Sequence, residues 1–170
     1  PYTVRQVVEP HRVIIVGGGT SGFIAALTCA KTRPGADVTL VEARETPLET
    51  LRNQLEHGGA LTTACEDPET VAAAYLRGSR EMLGPLFHWN PADTLDWLHR
   101  AGIETQSTAG LIRPKTHDAA EVVTRMLSAA QEVGVKVQTG NRVTHLDAAR
   151  GGRRFWVTFE DDQTLQAELG

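Results

Sequence analysis

The spacing of hydrophobic positions divides this chain into elements before any motif is read. The run "RVIIV" (Arg12 to Val16) is almost unbroken apolar sequence, the pattern of a parallel strand buried on both faces. Glycines follow, and from Thr20 to Thr32 the apolar residues fall at helical spacing, with Phe23, Ile24, Ala26, Leu27 and Ala30 on the inner side. "RPGAD" (Arg33 to Asp37) ends that helix, because neither Pro nor Gly extends one cheaply. "VTLVE" (Val38 to Glu42) predicts a second short strand. Strand, helix and strand within about 30 residues form a βαβ unit with a right-handed crossover.

The next region reads as helical. Asp67 before Pro68 predicts an N-cap with Pro at the first helical position, opening a helix toward Leu76. Asn90-Pro91 repeats the signal, with Leu95, Leu98 and Ala101 sharing a face and Gly102 as the stop. Asp118 and Glu121 form a plausible capping pair for a third helix. Its apolar stripe is Val122, Val123, Met126, Leu127, Ala130 and Val133, and Gly134 terminates it. Beyond it, "VKVQT", "RVTHLDA", "RFWVTFE" and "QTLQAEL" are short, β-rich and separated by turn residues. The last three predict a small meander, with "RFWVTFE" as a half-buried antiparallel strand.

Composition narrows the function classes. The chain has 170 residues, a formal net charge of −4 and 41% hydrophobic residues. That is one soluble domain, with no general attraction for nucleic acid or an anionic membrane. No stretch approaches the roughly 18 consecutive apolar residues of a membrane span. The one dense basic patch, "ARGGRR" (Arg150, Arg153, Arg154), reads as a solvated hairpin turn around its two glycines. Two cysteines without CxxC spacing, and no secretory leader, predict a reduced cytoplasmic protein. The first residue is Pro rather than Met, which suggests a trimmed or excerpted sequence.

Between the first strand and the helix, Gly17, Gly19 and Gly22 stand at G-x-G-x-x-G spacing, with Gly18 as an extra. The first glycine permits the tight turn, the second lets a pyrophosphate approach the backbone, and the third lets helix and strand pack closely. The free N–H groups and dipole of the helix start favour an anionic diphosphate. Glu42 ends the next strand, 20 positions after Gly22. Its carboxylate suits the two hydroxyls of an adenosine ribose and argues against a 2′-phosphate, so NADP is disfavoured at this site while NAD and FAD remain.

"VIIVGGGTSGFIAAL…DVTLVEA" resembles the N-terminal FAD-binding segment of two-dinucleotide-binding-domain flavoproteins, and is locally similar to flavin-dependent tryptophan halogenases. The stretch from Tyr75 to Leu146 is similar to BaiN-type NAD(P)/FAD-dependent oxidoreductases. In those a Gly-x-x-x-Pro segment (here Gly110 to Pro114) precedes a helix and a "GV-x-V…V" strand pair. This resemblance runs from about Val13 to Gly170, and Tyr75 to Leu146 is its more specific part. Past Glu45 the halogenase likeness lacks support: neither a Trp-x-Trp nor a catalytic Lys signature is found.

The resemblance implies an α/β, Rossmann-type FAD-binding domain with a parallel sheet, a partial helical insertion and a β-meander. Its parts would be a cradle at 11–47, the insertion at 48–117, and a helix, strand and meander at 118–170. It implies FAD diphosphate at Gly17, Gly18, Gly19, Thr20, Ser21 and Gly22, ribose at Glu42 with Ala43 and Arg44 beside it, and an adenine contact from the backbone near Val143. The implied activity is a flavin-dependent oxidoreductase, with NAD(P)H as electron donor and a small-molecule substrate. The rival reading is a non-catalytic dinucleotide-binding domain. Two departures favour the rival. Where the family carries a "GGGRCN"-like loop, this chain places Gly58, Gly59 and Ala60, or Ala60 and Leu61 if aligned on the glycines. The family also continues with an "ATGG"-like strand where this chain reads "QAELG", which suggests a fragment or shortened relative whose first strand lacks one neighbour. The C-terminal part of the same protein is then an expected partner.

Other candidates have plainer readings. The histidines (His11, His57, His88, His99, His117 and His145) form no H-x-x-x-H pair, so no metal site is expected. Cys29 and Cys65 read as structural, Trp89 and Trp97 as packing residues, and Arg113 and Lys115 as solvated charges. No residue is identified as catalytic.

Overall fold

A computed structural model describes residues 11–151 and 154–168 of the chain. In chain order its elements are β1 (Arg12–Val16), α1 (Thr20–Thr32), β2 (Asp37–Val41), α2 (Glu49–Glu56), β3 (Thr62–Thr63), α3 (Pro68–Ala73), α4 (Ser79–His88) and α5 (Pro91–Arg100). They continue with β4 (Thr105–Thr108), β5 (Leu111–Pro114), α6 (Ala119–Glu132), β6 (Lys136–Gln138), β7 (Val143–Ala148), β8 (Arg154–Phe159) and β9 (Thr164–Glu168). The described residues fall into two compact units, 11–49 with 128–151 and 154–168, and 50–127. Among the described residues no helix is long and apolar enough to cross a membrane.

The first unit is a Rossmann-type layer. Its parallel sheet has the order β1-β2-β6, with Ile15 opposite Leu40 and Leu40 opposite Val137. Central β2 is the most deeply buried strand, Val38, Leu40 and Val41 being at most 1% exposed. The predicted inner side of α1 is largely found: Phe23, Ala26 and Leu27 are buried, and Ile24 and Ala30 half-buried. A second sheet, the antiparallel meander β7-β8-β9, packs its inner residues Val157 and Phe159 with Val41, and Ile14, Val143 and Leu165 pack against that cluster.

Burial of β1 on both faces is not found. Among the described residues β1 pairs with β2 alone, and Val16 is 56% exposed. An edge position removes the neighbour that would have covered it. The second strand begins and ends one residue earlier than predicted, leaving Glu42 just beyond it. The basic hairpin joins β7 to β8 through Gly151 at φ +103°; Gly152 and Arg153 lie outside the described residues.

The second unit is less helical than its sequence suggests. Helices α3, α4 and α5 are present, but β3, β5 and β4 form an antiparallel sheet in that order. The β4–β5 hairpin turns on Ala109 and Gly110, at φ +52° and +74°. A two-residue turn with both φ values positive matches the right-handed twist of its strands. Ala at the first turn position hides it from a search for Asn-Gly or Asp-Gly, and "TQST" lacks hydrophobic alternation. Helix α3 ends at Ala73 rather than near Leu76.

Two of the predicted caps are found. The Asp67 carboxylate accepts from Thr70, and Asn90 and Asp93 form a reciprocal capping box. At α6 only half the pair acts: Asp118 accepts from the Ala120 N–H at 2.8 Å, while Glu121 turns to Arg125 at 3.8 Å. The α6 stripe is buried at Val122, Met126 and Ala130. Trp89 is not a packed core residue. It is 47% exposed, and its indole N–H donates to Thr94 Oγ1 at 2.8 Å, across the first turn of α5. Trp97 is half-buried.

Candidate functional site

The glycine turn stands where β1 hands over to α1. Gly17 adopts φ +105°, a region that side chains oppose, and its N–H donates to the Val41 carbonyl at 2.7 Å. Gly22 serves packing: a Cβ there would lie 1.9 Å from the Gly17 carbonyl oxygen, so only glycine lets the helix lie this close to the strand end. At Gly19 an added Cβ would meet nothing within 4 Å, leaving open space beside the backbone.

Helix α1 begins without protection. Its N-cap, Gly19, has no side chain to cap with, and the first turn holds no acidic residue. The first bond into the helix runs from the Phe23 N–H to the Gly19 carbonyl at 3.0 Å. The preceding N–H groups, on Thr20, Ser21 and Gly22, therefore have no carbonyl of their own helix to reach. The macrodipole places partial positive charge at the same spot. Thr20 and Ser21 are both exposed.

Glu42 is brought to this turn. Its Oε2 accepts from the Gly18 N–H at 2.6 Å and its Oε1 from the Arg44 N–H at 2.9 Å. Each oxygen keeps a further lone pair. The Gly18 carbonyl in turn accepts from the Leu48 N–H at 2.8 Å. The strand-end loop is also tied to the segment after β6. The Asn141 N–H donates to the Glu42 carbonyl and the Gly140 N–H to that of Arg44, both at 2.9 Å. Val143 begins β7 just beyond, with its side chain packed on the Val41 cluster. Half-buried Ala43 stands between Glu42 and Arg44, and Arg44 makes an exposed ion pair with Glu49 at 3.0 Å.

Residues 17–22, 42–44 and 143 thus lie in the glycine turn and first turn of α1, the loop after β2 and the start of β7, within one unit. Leu48 and the 139–142 segment belong there too, and the sequence does not point to them. Leu48 is 1% exposed at φ +58°, a conformation that nothing in its residue type announces. The remaining candidates are placed elsewhere. Arg113 and Lys115 are not free charges: Arg113 donates to the Gly58 carbonyl at 3.2 Å, and Lys115 pairs with Glu104 at 2.9 Å. That pairing raises the Lys115 pKa and lowers that of Glu104, in each case through the hydrogen bond first. Cys29 and Cys65 are free and half-buried. Among the described residues no cluster of His, Cys, Asp and Glu could hold a metal.

Comparison with known proteins gives a concordant picture. A family model described as the HI0933-like protein Rossmann domain matches residues 11–169. A 3-dehydro-bile acid delta(4,6)-reductase from Clostridium scindens is 28% identical over 158 residues, which cover 93% of this chain and 37% of the reductase. Among solved structures, 3-ketosteroid-delta4-(5alpha)-dehydrogenase from Rhodococcus jostii RHA1 superposes with a TM-score of 0.61 at 13% identity, over 99% of this chain and 46% of the dehydrogenase. CtdE, solved in complex with FAD, superposes with a TM-score of 0.50 at 17% identity, over 94% of this chain and 37% of CtdE. At these identities the two structures speak to the fold alone.

Proposed function

The chain belongs to the HI0933-like Rossmann-domain family, and from that premise we propose that it is the FAD-binding portion of a flavin-dependent oxidoreductase. One observation carries this reading: an uncapped helix N-terminus, a glycine turn and a fixed carboxylate at Glu42 meet in one place. The residues present fit an adenine dinucleotide, which offers a diphosphate, a ribose diol and a base in sequence.

In this reading the N–H groups of Thr20, Ser21 and Gly22 hold the diphosphate, against the open space at Gly19. Glu42 accepts from the ribose hydroxyls through the lone pairs that Gly18 and Arg44 leave unused, and it repels a 2′-phosphate. Ala43, Arg44 and the backbone near Val143 border the adenine. When bound, a flavin supplies hydride acceptance and onward electron transfer, while the protein binds and orients it. NAD(P)H is the proposed donor and a small molecule the proposed substrate. The chain spans 37% of the length of the reductase it matches. The two free thiols suit a reducing, cytoplasmic setting.

A second reading, a non-catalytic dinucleotide-binding module, is favoured by the 58–61 loop. Gly58, Gly59, Ala60 and Leu61 offer no charged or amide side chain to a flavin ring. One experiment separates the two. The purified chain is mixed with FAD, freed of unbound cofactor, and its visible spectrum followed as NADH is added without oxygen. Yellow protein that bleaches supports the oxidoreductase, and bound flavin that stays oxidised supports the module. A colourless protein that takes up no FAD overturns both.

A further inference from the structure

The second unit holds a cavity that the dinucleotide reading does not use. It has a volume of about 390 Å³ and is lined by Thr63 of β3, by Cys65, by Thr70 and Val71 of α3, and by Ala74 and Tyr75 just beyond. That volume falls in the range of small-molecule pockets.

The polar groups of the lining residues differ in what they have left to offer. The Thr63 hydroxyl has spent its proton on the Gly110 carbonyl at 3.2 Å, and it accepts from the Cys65 N–H at 3.2 Å. The Thr70 hydroxyl spends its proton on the Asp67 carboxylate. The Cys65 thiol has only a long contact, 3.9 Å, with the Asp67 carbonyl. The Tyr75 hydroxyl has no hydrogen-bond partner among the described residues. Val71, Ala74 and the Tyr75 ring form the apolar wall, and Leu76, fully exposed, extends the apolar surface past Tyr75. Among the described residues no cation lines the cavity, while Glu66, Asp67 and Glu69 lie on the segment that leads into it. An anionic ligand is therefore disfavoured.

We propose that this cavity is a binding site for a neutral, largely apolar ring compound that presents one hydrogen-bond acceptor, a ketone oxygen for example, to the Tyr75 hydroxyl. The wall buries the rings, and the phenol donates the one bond that orients them. No residue of the cradle takes part, so the site stands or falls independently of dinucleotide binding.

The test uses the full chain and the Cys65 thiol as reporter. Modification by N-ethylmaleimide is followed by peptide mass spectrometry, with Cys29 in the other unit as internal reference. Tetralone is expected to slow modification of Cys65 saturably and to leave Cys29 unchanged. Tetralin, the same ring system without the oxygen, should need about two- to tenfold more ligand, the factor worth one hydrogen bond. Tyr75→Phe should erase that difference. Val71→Arg, its fold checked by circular dichroism, should abolish protection; Tyr75→Phe serves alone if that variant does not fold. The proposal is overturned if tetralone leaves Cys65 unprotected, if both thiols slow together, or if tetralin protects as well as the ketone. Equal protection by anionic tetrahydronaphthoate overturns it too.

Discussion

The Glu42 carboxylate accepts the backbone N–H of Gly18 at 2.6 Å, joining the residue that follows β2 to the turn that follows β1. Its second oxygen takes the Arg44 N–H at 2.9 Å, so the carboxylate is held in place before any ligand arrives. In the proposed reading, a ligand diol would meet an acceptor whose ordering cost is already met by the fold.

Loss of that acceptor should be felt in binding. Glu42→Ala is expected to weaken FAD and ADP binding by ~1–3 kcal/mol, the scale for hydrogen-bonding groups left unpaired. Calorimetric titration with ADP and with 2′,3′-dideoxy-ADP checks the ribose assignment. The variant should bind the two nucleotides alike, whereas the parent should prefer ADP. Equal preference in both proteins would remove the ribose role from Glu42.

Gly22→Ala tests the close approach of α1 to the strand end. The new Cβ would stand 1.9 Å from the Gly17 carbonyl oxygen, a backbone atom that cannot swing aside. Overpacking of this kind costs about 1–3 kcal/mol or more, and urea unfolding should show it as a lower midpoint at unchanged slope. Dinucleotide affinity should fall as well, because the helix N-terminus moves with the backbone. A variant with the parent's midpoint would refute the packing role.

Acid should weaken the start of α3. The Thr70 hydroxyl, and after it the Thr70 N–H, hold the Asp67 carboxyl below its ordinary value. A depressed folded-state pKa means that the contribution is fully present above the unfolded value, near ~4. It is lost as pH falls through the folded one. Glu104, held down by Lys115, adds a loss of the same sign. Lys115 behaves oppositely, its contribution being present below the unfolded lysine value and lost as pH rises through the raised one. Asp67→Asn keeps a capping oxygen without the titration. Chemical unfolding from neutral to acid pH should therefore show a shallower loss of stability for the variant, and parallel curves would contradict the assignment.

Much of this protein was legible in its sequence because the informative signals are local. Hydrophobic period, Pro after a capping residue and Gly at a helix end act within one turn of chain, and they located α1 to the residue and α5 with its cap at Asn90. The glycine spacing and a following acidic residue likewise marked the two chain turns that the Glu42–Gly18 bond joins. The tertiary structure decided what depends on partners distant in sequence. It set Glu42 against Gly18 across 24 positions, turned Leu48 to φ +58° above the glycine loop, and left Val16 on an exposed edge. It also paired "TQST" with "LIRP" through a turn that Ala109 conceals. Strand pairing and loop ties gain their free energy from whichever segment arrives alongside, and residue type at one position carries no record of that neighbour.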